Sequence, residues 1–388
     1  MATTERGSKK RRQEDGPDVA NGAHGAARAA QNGRQPAVAE APAATAGNGA
    51  VSGGVAGHGS GAEIQIDHQQ LLDFYRKMIE IRLFEEAAQR GFRTGKIGGY
   101  LHLYIGQEAI ATGFLDAFQP GDRVITAYRD HAHALLLGAT PNEVMAELYG
   151  KGTGLVKGKG GSMHLFDVEN GFYGGYGIVG GHIPLGVGMA YGLRYRGEPG
   201  MVQLSLGEGA IHNGAFHEAA NLAGLWGREG LNPTLFILEN NGYGMGTSVE
   251  RSTAMTELGR KFDSYGIAHE QVDGMDLLAV LECAHRVTKQ VRDTGQPYAV
   301  EAHTYRLVPH GAADFLERYR SKDEIKEWRG RDPLGLLERR LLERGAADEA
   351  VITSTRAEAK TVVDAAVRFA EESPEPDIAE LYTDVYVD

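Results

Sequence analysis

Apolar side chains recur at helical spacing from Ile64 onward, at Leu71, Leu72, Tyr75, Met78, Ile79, Ile81 and Leu83, ahead of a glycine-rich stretch over residues 95–99. One apolar face every 3.6 residues predicts a long amphipathic helix that the glycines close. Helical patterns return over residues 107–118, 142–149, 215–226 and 275–291. Residues 201–206, 234–238 and 298–302 are instead short apolar runs, the pattern of strands buried on both faces. Helices alternating with buried strands predict an α/β fold with a mostly parallel central sheet and helices on both faces. Beyond Pro333, Leu, Glu, Arg and Ala at helical spacing through residues 336–342 and 351–370 predict packed terminal helices, with no internal repeat.

Residues 1–62 break this pattern. Ala, Gly and polar residues dominate, and large apolar side chains are nearly absent, so burial there cannot offset the entropy of ordering. We expect a disordered Ala/Gly-rich arm over 1–62 and a folded body over 63–388. The basic run Lys9-Lys10-Arg11-Arg12 is diluted by Glu5, Glu14, Asp15 and Asp18, unlike an acid-poor transit peptide. A solvated tail is the plain reading, a docking tether the alternative.

The single cysteine, Cys283, excludes an internal disulfide framework and reads as core. No run is long enough to span a bilayer, so no membrane partner is expected. A formal net charge of −12 argues against nucleic acid as a partner, because phosphate backbones need clustered cations.

The chemistry concentrates in two turns. The run Leu204-Ser205-Leu206 leads into Gly207-Glu208-Gly209-Ala210, and residues 234–238 lead into Glu239-Asn240-Asn241-Gly242-Tyr243. Both turns follow strands and so fall on one edge of the sheet, where open α/β folds bind ligands. Carboxylate, carboxamide and backbone carbonyl are hard oxygen donors of the kind Mg²⁺ or Ca²⁺ takes, with positions left for substrate phosphates.

With these residues in view, the chain resembles the α subunits of thiamine-diphosphate-dependent 2-oxo-acid dehydrogenases. Gly207-Glu208-Gly209 followed by Asn240-Asn241 is similar to that family's GDG…NN cofactor motif. His102 to Ala109, Ile125 to Arg129, Gly158 to His164 and Tyr173 to Gly180 resemble further α-subunit segments, extending the likeness over roughly residues 64–330. Tyr243 to Arg251 is most similar to the members acting on pyruvate. The resemblance implies a thiamine-diphosphate-binding fold, with Glu208, Asn241 and the Tyr243 carbonyl holding Mg²⁺. It implies that Tyr128 and Arg129 contact the diphosphate, that Gly209 and Ala210 lie against it, and that Gly177 and Val179 meet the aminopyrimidine ring. His310, ahead of His102, would line the active site, where imidazoles move protons or hydrogen-bond ligands.

The implied reaction is oxidative decarboxylation of a 2-oxo acid, pyruvate first, with acyl transfer to a lipoylated dihydrolipoyl acyltransferase. The implied assembly is an α2β2 heterotetramer with a β subunit. Branched-chain 2-oxo acids or acetoin are the alternative substrates, and a non-catalytic scaffold subunit is the alternative role. Three departures bear on this. Glu208 replaces the usual Asp and adds one methylene, His212 stands where the family has Asn, and residues 227–232 lengthen the link between the two turns. Gly311 follows His310 where animal members carry a phosphorylatable serine, so a bacterial, cytoplasmic protein is expected rather than a mitochondrial one.

Other motifs get plainer readings. Gly175-x-Gly177-x-x-Gly180 fits a dinucleotide pattern, but no clear strand is read ahead of it. Residues 157–162 miss the phosphate-loop spacing and are read as a structural or subunit-contact loop. His131, His133, His164 and His182 are read as packing histidines, Glu218 and Asn221 as helix-knitting groups, and Trp226 as core.

Overall fold

The structure, a computed structural model, describes residues 65–315 and 318–386; the arm expected over residues 1–62 lies outside them. The expected entry helix is α1 (His68–Arg93). It opens with a capping box: Asp67 accepts from the Gln70 backbone, and the Gln70 side chain accepts from the Asp67 backbone. There follow α2 (Glu108–Asp116), β1 (Arg123–Ala127), α3 (His131–Leu137), α4 (Pro141–Leu148), β2 (Phe172–Tyr176), α5 (His182–Tyr195), β3 (Val202–Gly207), α6 (Gly214–Gly227) and β4 (Thr234–Asn240). A small hairpin, β5 (Tyr243–Gly244) with β6 (Thr247–Ser248), and the one-turn α7 (Val249–Ser252) precede β7 (Ala268–Asp273), α8 (Leu277–Thr294) and β8 (Tyr298–His303). Then come α9 (Lys322–Gly330), which was not read from the sequence, and the predicted terminal helices α10 (Pro333–Glu343) and α11 (Glu349–Glu372).

Six strands form one sheet in the order β2-β1-β3-β4-β8-β7, every neighbouring pair parallel. β4 shows why its apolar run is unbroken. Leu235 and Ile237 join Ile110, Phe114 and Val280 of α2 and α8 on one face. Phe236 and Leu238, pointing the other way, join Ile183, Val187 and Phe216 of α5 and α6. The α1, α10 and α11 helices bury a further cluster around Leu71, Tyr75, Leu337 and Ile352.

Three strands of the sheet, β1, β2 and β7, escaped the sequence reading. β2 reads Phe-Tyr-Gly-Gly-Tyr, too glycine-rich to look like a strand, and β7 is a largely polar edge strand with only Val272 buried. The expectation that no strand precedes Gly177 is therefore corrected, because β2 leads into that loop and α5 follows it. Trp226, read as core, is half-buried, packs against the margin of the α5–α6 core cluster and stacks on Tyr191 with centroids 4.4 Å apart. Cys283 is buried as expected. Among the described residues no helix is long and apolar enough to cross a membrane.

Candidate active site

Strand order reverses at β1, with β2 on one side and β3 on the other, so a crevice opens at the strands' carboxyl ends. Each chemically interesting segment leaves the sheet there. β1 ends into Tyr128-Arg129, β3 into Glu208-Gly209-Ala210, β4 into Asn241, and β8 into Arg306 and His310. A cleft of about 400 Å³ lies between them, and Tyr128, Arg129, Val179, Glu208, Gly209, Ala210, Asn241, Tyr243 and His310 all line it. Of the residues singled out from sequence, only Gly177 and His102 stand back from this wall. Gly177 lies against His164, whose ring would be 3.1 Å from an added Cβ. His102 packs behind Tyr128 and His310, with ring centroids 4.3 and 5.0 Å away. Gly209 earns its place sterically, because a Cβ there would come within 3.2 Å of the Gly244 backbone.

Glu208 is 2% exposed, and burial raises its carboxyl pKa. Its Oε2 accepts from the Asn241 backbone N–H at 3.3 Å, while its buried Oε1 has no partner among the described residues. A buried carboxylate oxygen without a partner is costly unless a cation or donor meets it. The longer side chain thus still reaches the second turn of the motif. The two asparagines divide their work. Asn240 Nδ2 donates to the buried Glu301 and Asn240 Oδ1 accepts from Gly242 N, so this residue shapes the turn. Asn241 faces the cleft.

Arg306, fully buried, was missed from sequence because nothing local marks a lone arginine after a strand. Its Nε donates to Asn241 Oδ1 at 3.0 Å, and its Nη2 donates to the carbonyls of Tyr243 and Met245 at 3.3 and 2.7 Å. Burial lowers its pKa to about 10, with Arg129 and Arg320 contributing, and it remains a cation at neutral pH. Its contacts also put Asn241 Oδ1 and the Tyr243 carbonyl side by side. Each carbonyl oxygen has two lone pairs, so neither is exhausted by the guanidinium. With Glu208 these atoms form the hard-oxygen set suited to Mg²⁺.

Arg129 donates to the carbonyls of Leu103 and His310, the latter at 3.0 Å, and so pins the His310 loop to the site. Burial first, and Arg129 second, drive His310 down to about 2 and His102 to about 3. Both imidazoles are therefore neutral near pH 7, able to donate or accept hydrogen bonds but not to act as standing cations. Tyr128 Oη lies 3.5 Å from His310 Nε2.

Gln107, Glu239 and Tyr104 were also missed as functional. Buried Glu239 accepts from Tyr104 Oη at 2.8 Å and from Gln107 Nε2 at 2.6 Å, and burial pushes its carboxyl up to about 7. The sequence signal was available in Glu239, a charged residue ending an apolar strand. The packing histidines are mostly satisfied: His131 bonds Glu85 and Ser162, His164 the Gly175 carbonyl, and His182 the Ser205 carbonyl. Residues 157–162 wrap the buried Glu147 carboxylate, which accepts from the backbones of Val156, Gly158, Gly160 and Gly161. His212, in place of the family's Asn, lines the cleft with its Nδ1 3.2 Å from Lys261 Nζ.

Known proteins share this sequence at length. A family profile described as Dehydrogenase E1 component matches residues 76–379. The chain is 44% identical over 318 residues to the pyruvate dehydrogenase E1 component subunit alpha of Rickettsia felis, covering 82% of this chain and 96% of that protein. It is 44% identical over 315 residues to the Rhizobium meliloti protein of the same name, covering 81% and 89%. The mitochondrial counterpart from Schizosaccharomyces pombe is 42% identical over 328 residues, covering 84% and 78%.

Proposed function

The chain belongs to the dehydrogenase E1 component family, and from that premise we propose that it is the α subunit of a thiamine-diphosphate enzyme that oxidatively decarboxylates pyruvate. The relatives' shared name supports the substrate, and the clustered oxygen donors at the ends of β3 and β4 support the cofactor site. The observation carrying the reading is the buried, unpartnered Glu208 Oε1 beside Asn241.

In this reading Glu208, Asn241 and the Tyr243 carbonyl would hold Mg²⁺, whose charge would offset that of the diphosphate. Arg129 and Tyr128 contact the diphosphate, and Gly209 and Ala210 let it approach the backbone. Val179 would meet the aminopyrimidine ring, and Gly177, set back against His164, would turn the loop that presents it. When bound, thiamine diphosphate supplies the electron sink for loss of CO₂. His310, supported by His102, acts as a neutral hydrogen-bonding group toward the oxo acid and diphosphate. A β subunit completes the site in an α2β2 assembly, and the acyl group passes to a lipoylated dihydrolipoyl acyltransferase. A bacterial cytoplasmic setting is proposed on the bacterial relatives and on Gly311.

The test is 2-oxo-acid-dependent reduction of an artificial electron acceptor by the chain co-expressed with its β partner. Turnover of pyruvate that requires both Mg²⁺ and thiamine diphosphate is expected. Turnover of branched-chain acids alone would move the substrate, and no turnover from a stable assembly would contradict the enzyme reading.

A further inference from the structure

A carboxamide presents its oxygen or its nitrogen depending on which way it is turned, and the two ends have nearly the same shape. A metal-ligating asparagine therefore needs something to fix that choice. Here four buried side chains make one continuous chain of hydrogen bonds. Gln107 Nε2 donates to Glu239 Oε2 at 2.6 Å, and Asn241 Nδ2 donates to Gln107 Oε1 at 3.3 Å. Arg306 Nε donates to Asn241 Oδ1 at 3.0 Å. Both oxygens of Glu239 accept, Oε1 from Tyr104 Oη and Oε2 from Gln107 Nε2, and a guanidinium only donates, so with Glu239 in its ionised form the two ends of the chain permit one orientation of both amides between them.

We propose that Gln107 is a positioning residue whose amide, oriented by Glu239, fixes Asn241 with its Oδ1 turned into the cleft for the metal. The inference rests on the proposed Mg²⁺ site. Tyr104 Oη also donates to Glu239, so the carboxylate's position is held independently of Gln107. Gln107 lines the same cleft, and its side chain bonds Glu239 on one side and Asn241 on the other.

The exchange Gln107→Glu with Glu239→Gln separates orientation from packing. In the double variant, the amide at 239 donates to the carboxylate at 107, whose other oxygen still accepts from Asn241 Nδ2. The polarity at Asn241 is preserved with the net charge unchanged. Gln107→Leu removes the acceptor at similar bulk.

Mn²⁺ affinity is read by electron paramagnetic resonance on the full chain in complex with its β subunit, with thiamine diphosphate present, and thermal melting is followed in parallel. The expected result is Mn²⁺ binding weakened about 10-fold or more in Gln107→Leu, the usual cost of losing an outer-shell partner. The double exchange should return to within about 3-fold of the parent, while Glu239→Gln alone should fall between. Asn241→Ala serves as the reference. If Asn241→Ala loses affinity while Gln107→Leu binds as the parent does, the positioning role is overturned and the metal site stands. If Asn241→Ala itself binds normally, the site assignment fails and takes the inference with it. Affinities that track melting temperature across all four variants, without recovery in the exchange, would also overturn it.

Discussion

The two sides of the cleft are built on opposite principles. On the side of β3, β4 and β8, polar groups are buried and tied to one another: Glu208 to the Asn241 backbone, Asn241 to Gln107 and Arg306, and Arg129 to the His310 loop. On the side of the loop after β2, apolar groups stand in solvent, with Ile178 76% and Val179 47% exposed. Buried polar networks are tolerable only when satisfied, and exposed apolar groups at a ligand site mark surface that another body covers. In the proposed reading, the first side is the finished wall, awaiting an anionic, metal-bound group at Glu208 Oε1, and the second is an unfinished wall for a partner.

The largest effect should come from the finished wall. Glu208→Ala is expected to weaken Mg²⁺-dependent thiamine diphosphate binding by about 100-fold or more, since losing an outer-shell group alone costs roughly 10- to 100-fold. Calorimetry on the assembled complex measures this, and Glu208→Asp, the family's usual residue, should bind within about 10-fold of the parent. Equal binding by Glu208→Ala would show that this wall holds no metal. Arg129→Lys comes next. An ammonium cannot reproduce the guanidinium's paired contacts, and hydrogen bonds to charged groups are worth about 1.5 to 3 kcal/mol. Thiamine diphosphate affinity should drop by roughly 10-fold or more.

The unfinished wall should respond in a different observable. Ile178→Glu is expected to leave the isolated chain's stability within about 0.5 kcal/mol of the parent, as surface changes do. Co-purification with the β subunit should be lost. A folded variant that still assembles would mean that the exposed loop is not covered by the partner.

The smallest signal concerns charge. His310 and His102 are held far below the ordinary histidine range, chiefly by burial, so the neutral rings belong to the folded state. Their stabilising contribution is complete above the unfolded pKa of about 6.5 and is lost as pH falls toward the lowered values. Ring ¹⁵N shifts should accordingly show both imidazoles neutral from pH 8 to pH 5. A titration near 6.5 would place them in a wetter, less cationic setting than the one described.

Part of the finished, polar wall was legible in the sequence for a geometric reason: Glu208 and Asn241 sit directly after apolar strands, which carries them to one edge, whereas Tyr128-Arg129 came from the family resemblance, since β1 ahead of them was not read as a strand. Arg306 and Gln107 were not legible as functional, because their bonds to Asn241 and Glu239 join residues far apart in the chain, whereas the charge of Glu239 within an apolar strand was a signal left unused. The strands at both edges of the sheet were missed for related reasons: glycines in β2 remove the apolar pattern, and solvent on β7 replaces it with polar residues. Trp226, read as core from its size and apolarity, packs against the core but stays half-buried at its margin.

The division between walls is tested most directly by titrating Mg²⁺-pyrophosphate and Mg²⁺-thiamine diphosphate into the isolated chain and into its complex with the β subunit. The account predicts that the isolated chain binds both ligands with similar affinity, and that only the complex gains from the thiamine portion. If the isolated chain ignored pyrophosphate, or already preferred thiamine diphosphate as strongly as the complex does, the two-wall account would be contradicted.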